Sequence, residues 1–162
     1  MSAIDEQPTP TDARDLLVER IIRAPRSAVW AAWTDPVQLA RWWVPAPAEC
    51  RVLELELWPG GSFRTEFSED GGGFGPQITG CVLEVLPEQR LVWTTALVAG
   101  WRPAEQPFIS AIIEFDDHPD GTRYRATALH SDLAQRDLHL ELGFHAGWGI
   151  VTEQLAALVE PA

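Results

Sequence analysis

The feature that most constrains the fold is a long run of β-strand patterns followed by one helical pattern. Short runs rich in β-branched and aromatic residues alternate with turn residues. These predicted strands cover residues 53–57, 63–67, 78–86, 90–97, 108–115 and 122–130. Because turns or loops join successive strands, we predict a sequential meander and therefore an antiparallel sheet. In the first of these strands, strict alternation predicts the leucines on one face and the glutamates on the other.

One strand and two short helices are predicted before this run. Residues 16–23 are rich in β-branched residues and predict a strand. It ends before Pro25, whose fixed φ suits the first turn of a helix. A second helix is predicted from the capping box at residues 35–38. That helix is expected to carry Trp42 and Trp43 and to end before the next proline.

One long amphipathic helix is predicted at the C-terminal end, and a kink near its start stays open. A capping box at Ser131 begins it, and it ends before Pro161. Its apolar residues recur mainly at three- and four-residue steps, at Leu138, Leu142, Trp148, Val151, Leu155 and Leu158. A glycine costs about 1 kcal/mol inside a helix, so Gly143, Gly147 and Gly149 need an explanation. Two explanations stay open, close approach to the sheet or room for a ligand.

Together these elements predict an α+β domain with a helix-grip fold. We expect a curved antiparallel sheet of about six or seven strands, wrapped around the long C-terminal helix, with two short helices after strand 1. Residues 1–14 are polar and contain two prolines, so we predict a disordered tail there and a single domain over residues 15–160. A sheet that grips a helix leaves a wedge-shaped space, and such spaces commonly bind small molecules.

Charge and hydropathy argue against several classes of partner. The chain has 24 acidic and 12 basic residues, and this net charge of −12 argues against nucleic acid and anionic membrane surfaces. No stretch approaches about 18 continuous apolar residues, so no membrane span is predicted. The N-terminal residues lack the apolar core of a signal peptide, so we expect a cytoplasmic protein. Cys50 and Cys81 are expected to be buried free thiols.

Eight tryptophans raise the question of whether their rings fill a core or line a cavity. Trp42 and Trp43 are consecutive on a predicted helix and point about 100° apart. We therefore expect one ring in the core and the other at the cavity or a partner. Trp101 lies in a loop, where three placements stay open: over the cavity mouth, against a neighbouring subunit, or folded back on the domain.

Two histidines are candidate polar contacts for a ligand. His130 shares the small-sided face of the last strand with Ala126 and Ala128, which leaves a hollow if that face points at the helix. Filling of the hollow by side chains of the helix is the alternative. His145 follows Glu141 by four residues, so the two are predicted to share a helix face. They would form either a ligand-orienting pair or an exposed ion pair.

The sequence offers no pattern for a metal, a cofactor or an assigned catalytic residue. Zinc needs three or four convergent ligands, and the spacing of the histidines supplies no such set. No Gly-x-Ser-x-Gly motif occurs, and neither cysteine has a neighbouring histidine in sequence. We therefore predict no metal, no cofactor and no catalytic residue. An enzyme that uses a histidine or glutamate as general base stays an alternative.

A set of short motifs, in order from residue 16 to residue 160, carries a resemblance to a known family. They include Ala24-Pro25, Thr34-Asp35-Pro36, Leu39-Ala40-Arg41-Trp42-Trp43, Pro59-Gly60-Gly61-Ser62-Phe63-Arg64, Arg90-Leu91-Val92-Trp93, Gly121-Thr122-Arg123-Tyr124 and Gly147-Trp148. With these motifs the chain resembles bacterial single-domain proteins similar to the C-terminal domain of the activator of Hsp90 ATPase. That family belongs to the START or Bet v 1-like helix-grip superfamily. The superfamily includes lipid and hormone carriers, polyketide cyclases and ring-hydroxylase subunits.

The resemblance implies a shared cavity rather than one shared reaction. We expect a small hydrophobic or aromatic molecule to bind between the sheet and the C-terminal helix. The expected ligand-binding residues are Trp43, Trp58, Phe63, Trp93, Trp101, Ile113, Tyr124, His130, Phe144, His145 and Trp148. The alternatives are an enzyme of the cyclase or hydrolase type and an Hsp90 co-chaperone-like interaction protein.

The resemblance gives little reason to expect Hsp90 as a partner. In the eukaryotic co-chaperone, a separate N-terminal domain carries much of the contact with Hsp90. In this chain only a polar tail is expected before the first strand. Formation of a homodimer stays open.

Overall fold

Seven strands form one curved antiparallel sheet in the computed structural model, which describes residues 8–161. The strands are β1 (Leu16–Ile22), β2 (Glu49–Leu55), β3 (Ser62–Ser68), β4 (Gly75–Leu86), β5 (Arg90–Thr94), β6 (Leu97–Val98), β7 (Arg102–Pro103), β8 (Ser110–His118) and β9 (Gly121–Leu129). The helices are α1 (Arg26–Thr34), α2 (Pro36–Leu39), α3 (Leu133–Glu141) and α4 (Phe144–Val159). The predicted α+β helix-grip fold is confirmed, with seven strands in the main sheet.

The strands of the main sheet follow the order β1-β9-β8-β5-β4-β3-β2. The last strand pairs with the first, and Leu16 lies opposite Ala128. β5 pairs directly with β8, because β6 and β7 form a separate two-stranded ribbon between them in the chain. The strand predicted over residues 90–97 is therefore two strands, and its first part ends at Thr94.

A β-bulge in β2 changes the predicted faces of its leucines. The register of β2 against β3 shifts between Val52 and Glu54. Leu53 is consequently 39% exposed, whereas Val52 and Leu55 pack against the core. The predicted shared face is wrong for Leu53, because the extra residue of a bulge reverses the faces of the residues beyond it. Leu55 and Leu57 both pack against the core.

The second helix is shorter than the sequence predicts. α2 ends at Leu39, and Trp42 and Trp43 lie in the turns that follow it. The side-chain amide of Gln154 on α4 donates hydrogen bonds to the carbonyl oxygens of Trp42, at 2.9 Å, and Val44, at 2.8 Å. These bonds pair carbonyl groups at a place where the chain has left the helix.

The predicted C-terminal helix is two helices, α3 and α4. Gly143 between them has a φ of +92°, in the left-handed region that glycine adopts at little cost. The N–H of Leu142 donates to the carbonyl of Leu138 and closes the last turn of α3. The predicted single helix is therefore broken rather than kinked. α4 buries Val151 and Leu155 in the main core, whereas α3 has no buried residue.

The small-sided face of β9 points into the molecule. Tyr124, Ala126 and Ala128 are all buried on this face. Trp33 from α1 and Leu155 from α4 belong to the same packed cluster as Tyr124 and Ala126. Side chains of the helices therefore pack over the small residues of this strand. The sequence allowed either a hollow here or its filling by helix side chains, and the structure shows the filling.

The segment before β1 contacts the domain through its backbone. Residues 1–7 of the predicted disordered tail lie outside the described residues. The carbonyl oxygen of Ala13 accepts a hydrogen bond from Arg136 at 2.6 Å, and that of Arg14 lies 2.8 Å from Nδ1 of His130.

Across the described residues, none of the helices has the length and apolarity needed to span a bilayer.

Candidate functional site

A cavity of about 860 Å³ lies between the sheet and α4. Its walls come from β4 and β5, from the segment 104–109, and from α3 and α4. The lining residues include Trp43, Gln77, Trp93, Phe108, His139, Gly147 and Trp148. Cavities that bind small molecules in proteins typically measure roughly 300–1,000 Å³, so this space has the size of a ligand site.

Three tryptophans form the aromatic wall of the cavity. The ring of Trp43 lies at the centre, with centroid distances of 6.1 Å to Trp93 and 6.1 Å to Trp148. Trp43 and Trp93 are buried, and Trp148 is half-buried. The three rings are supplied by a turn, a strand and a helix that are distant in sequence, so only the complete fold assembles this wall.

Two of these rings carry buried N–H groups without a partner. Nε1 of Trp33 donates to the hydroxyl of Tyr124 at 3.0 Å, and Nε1 of Trp42 donates to a backbone carbonyl at 2.9 Å. In contrast, Nε1 of Trp43 and Nε1 of Trp93 make no hydrogen bond to any residue between 8 and 161. A buried donor without an acceptor costs about 1–3 kcal/mol. The two unpaired donors therefore belong to the two buried rings of the cavity wall.

Two glutamines hold the backbone of Trp43 in place. Gln154 binds the carbonyl groups on both sides of Trp43, and its Oε1 accepts a hydrogen bond from the N–H of Ala46 at 2.8 Å. From the opposite side, Gln77 donates to the carbonyl of Trp43 at 3.4 Å and accepts from the hydroxyl of Thr65 at 2.9 Å. The segment is thus tied to α4 and to the sheet, which fixes the ring between them.

A pair of histidines lies at the α3 side of the cavity. Nε2 of His130 is 2.8 Å from Nδ1 of His139, which is the member of the pair that lines the cavity. The His139 ring packs on Phe108 and Phe144, with centroid distances of 4.8 Å and 5.0 Å. Burial, and to a smaller extent the charge of His130, lower the pKa of His139 from 6.5 to about 4. The His139 ring is therefore neutral at pH 7.

Charged groups are sparse around the cavity. Among the described residues that line it, Glu105 is the one carboxylate and no arginine is present. Between residues 8 and 161, no three histidine, cysteine, aspartate or glutamate side chains converge as metal ligands would. The arrangement suits a neutral, largely apolar molecule with few polar atoms.

The structure brings three of the predicted ligand-binding residues together at the cavity, Trp43, Trp93 and Trp148. Phe63 lies behind the wall formed by these tryptophans, and its ring centroid is 5.0 Å from that of Trp93. Phe63 itself is buried in the core. We expected Trp42 and Trp43 to divide between the core and the cavity or a partner, and of the two only Trp43 lines the cavity. Both are buried, because the turns after α2 direct both rings onto Trp33.

Four other predicted residues lie away from the cavity lining. Ile113 and Tyr124 point from the sheet into the main core, with exposures of 0% and 2%. Phe144 is buried in a second cluster with residues of β1 and β9, and stacks on Trp148 at 5.4 Å. His145 is exposed, and the break at Gly143 prevents the helix-face pairing with Glu141 that the sequence predicted.

The last two tryptophans on the predicted list are largely exposed. Trp58 is 57% exposed and Trp101 is 51% exposed, and neither lines the cavity. Trp101 has a φ of +65°, and its ring lies against Gly60, where an added Cβ would meet Nε1 of Trp101 at 2.7 Å. The loop of Trp101 therefore folds back on the turn before β3, which was one of the three predicted placements.

His130 contacts the backbone of Arg14 and the ring of His139 rather than the cavity itself. Sequence reasoning missed His139, Phe108 and Gly147 as cavity residues. His130 and His139 are nine residues apart across a strand end and a helix start, and that spacing alone predicts no contact. Gly147 was the one sequence signal for a cavity residue, because room for a ligand was one of the two explanations for a glycine inside the predicted helix.

Solved bacterial structures share this fold across almost the whole chain. A protein from Nitrosomonas europaea is 43% identical, with a TM-score of 0.82, and the match covers 90% of this chain and 94% of that one. A protein from Chromobacterium violaceum is 26% identical, with a TM-score of 0.73 and coverage of 91% and 99%. An AHSA1-like protein from Aeromonas hydrophila, 21% identical with a TM-score of 0.67 and coverage of 91% and 96%, shows the same fold.

The sequence also matches a protein-family model over residues 23–160, which includes every element from α1 to α4. No curated protein matches the sequence. The family is described as activator of Hsp90 ATPase homolog 1-like protein. Together with the relative that is 43% identical, this match establishes that the chain belongs to the activator of Hsp90 ATPase homolog 1-like family.

Proposed function

We propose that this protein binds a small hydrophobic or aromatic molecule in the cavity between the sheet and α4. The observation that carries the proposal is the cavity of about 860 Å³ whose wall contains the rings of Trp43, Trp93 and Trp148. A molecule that binds only the folded state stabilises that state, so binding would also raise the stability of the protein.

The composition of the wall favours an uncharged aromatic ligand. Aromatic rings stack on one another in offset or edge-to-face geometry, and three tryptophans offer both faces and edges. No arginine lines the described part of the cavity, and the chain carries a net charge of −12, so an anionic ligand would be disfavoured. The family description names activation of Hsp90, which would require a protein-binding surface. The space between the sheet and α4 is instead a cavity of small-molecule size.

Filling the cavity from Gly147 tests the proposal. Gly147 lines the cavity, and an added Cβ there would meet no atom within 4 Å. Gly147→Leu should therefore fold and place its side chain in the ligand space. Gly149→Leu is the matched control, because Gly149 has equally open surroundings on the same helix but does not line the cavity.

The measurement is quenching of tryptophan fluorescence by naphthalene, together with native mass spectrometry for a co-purified ligand. We expect the wild type and Gly149→Leu to bind naphthalene with similar affinity, and Gly147→Leu to bind at least about tenfold more weakly. Equal binding by the two leucine variants, or no binding by the wild type, would contradict the proposal.

A further inference from the structure

We propose that Nε2 of His139 accepts a hydrogen bond from a hydroxyl group of the ligand, so that the cavity selects a neutral, hydroxylated aromatic molecule. This inference rests on the proposed ligand cavity and names the class of molecule that it takes. His130 is assigned the role of a positioning residue, because it sets the tautomer of His139 and does not line the cavity.

The tautomers follow from a chain of two hydrogen bonds. Nδ1 of His130 lies 2.8 Å from the carbonyl oxygen of Arg14, which can only accept, so Nδ1 of His130 carries a proton. We take His130 in its neutral form, as part of the proposal, and Nε2 is then unprotonated and accepts the second hydrogen bond. Nδ1 of His139, at 2.8 Å, is therefore the donor of the second hydrogen bond.

This assignment leaves a lone pair on Nε2 of His139. With the proton of the neutral ring on Nδ1, Nε2 is an acceptor only. Nε2 makes no hydrogen bond to a residue in the described part of the chain, and His139 lines the cavity. The remaining ring surface is held by Phe108 and Phe144, which supply no competing polar atom.

The protonation state of the His139 ring decides which polar group of a ligand can form a hydrogen bond with Nε2. Its pKa of about 4 keeps the ring neutral at pH 7, so it offers a lone pair and no positive charge to pair with a carboxylate. Glu105, at the cavity, adds negative charge. A phenolic hydroxyl, with an ordinary pKa of about 10, keeps its proton at pH 7 and can donate it in a hydrogen bond. Nε2 therefore discriminates for a neutral donor and against an anion.

Four related probes test this inference by titration at pH 7: naphthalene, 2-naphthol, 2-methoxynaphthalene and 2-naphthoate. They share one ring system and differ in the group offered to His139. We expect the wild type to bind 2-naphthol about tenfold more tightly than 2-methoxynaphthalene, which has no donor, and 2-naphthoate most weakly. Tighter binding of 2-naphthoate than of 2-naphthol would overturn the inference.

Two variants connect the preference to His139. His139→Phe keeps an aromatic ring between Phe108 and Phe144 and removes the acceptor, so the preference for 2-naphthol over 2-methoxynaphthalene should vanish. His145→Phe is the matched control on an exposed histidine, and it should retain the preference. A preference that survives in His139→Phe overturns this inference but leaves the proposed function intact. Failure of all four probes to bind the wild type overturns both.

The nitrogen chemical shifts of the imidazoles, measured by NMR on the wild type, test the tautomer directly. We expect His139 to carry its proton on Nδ1 and to have an unprotonated Nε2. In His130→Phe, which removes the acceptor for Nδ1, we expect a mixture of tautomers and a reduced preference for 2-naphthol. A wild-type His139 protonated on Nε2 would overturn the inference regardless of how any variant folds.

Discussion

At the scale of single residues, the tryptophans differ in whether their N–H groups are paired. Trp33 and Trp42 belong to the core, and their donors have acceptors at 3.0 Å and 2.9 Å. Trp43 and Trp93 border the cavity, and their donors have no acceptor among the described residues. Buried polar groups in folded proteins are nearly always paired, so each of these two unpaired donors is a local cost to stability.

Tyr124→Phe tests the paired case. The substitution removes the only acceptor that the structure gives the buried Nε1 of Trp33, so we expect the free energy of unfolding to fall by about 1–3 kcal/mol. Urea denaturation measures the change. In a Trp33→Phe background the same substitution should cost far less, and an equal cost in both backgrounds would contradict the assigned hydrogen bond.

Sequence reasoning identified most aromatic residues of the site but none of its polar ones. Trp43, Trp93 and Trp148 were expected at the cavity on the resemblance to the helix-grip family, and all three line it. His139 was not predicted, because its contact with His130 depends on where α3 begins and how it packs. A side chain's neighbours across a turn are set by tertiary packing, which one sequence does not show.

At the scale of elements, the break at Gly143 divides the C-terminal segment into helices with different roles. α4 buries Val151 and Leu155 in the main core and carries Trp148, whereas α3 has no buried residue and carries His139. The sequence predicted one helix because its apolar residues recur across the break. The left-handed φ of Gly143 breaks the helix between those apolar residues. The predicted helix contained three glycines, and the sequence did not indicate at which of them it would break.

Alanine at two of these glycines should change stability in opposite directions. Neither Gly143 nor Gly147 has an atom within 4 Å of an added Cβ, so backbone conformation alone decides the outcome. Gly143→Ala forces a side chain into the left-handed region and should cost about 1–2 kcal/mol. Gly147→Ala lies within α4 and should stabilise by up to about 1 kcal/mol. Thermal unfolding measures both, and shifts of the same sign would contradict the break at Gly143.

At the scale of the whole molecule, the antiparallel sheet and its helical partner were predictable because period-two and helical patterns occupy separate parts of the chain. The pairing of β9 with β1 and the insertion of the β6–β7 ribbon were not, since they depend on contacts between distant segments. The bulge at Leu53 could not be predicted either, because leucine and glutamate alternate over residues 53–57 as they would in an unbroken strand.

The stability of the whole molecule should fall in mild acid through His139. The folded protein holds the pKa of His139 near 4, whereas the unfolded chain takes up the proton near pH 6.5. Between these values the unfolded state binds more protons, so the free energy of unfolding decreases as pH falls from about 6.5 to about 4. His130, the ionisable ring that faces His139, adds to the cost of a second positive charge.

Urea denaturation at several pH values measures this effect. Because His139 is partly exposed, we expect a loss of about 1–2 kcal/mol. His139→Phe should lose correspondingly less stability over the same range, since its carboxylates still titrate but the histidine is gone. An identical pH dependence in the two proteins would contradict the neutral, half-buried state of His139.

The separation of α3 from the core has a consequence for how this protein can diversify. Residues 133–141 begin at the Asp132 cap and end just before Gly143, and no side chain among them is buried. Substitutions at the exposed positions of this segment should therefore cost the fold little, while α4 and the sheet hold the scaffold. Under the proposed function, relatives that share the fold but differ in α3 should then differ in the molecule that they bind.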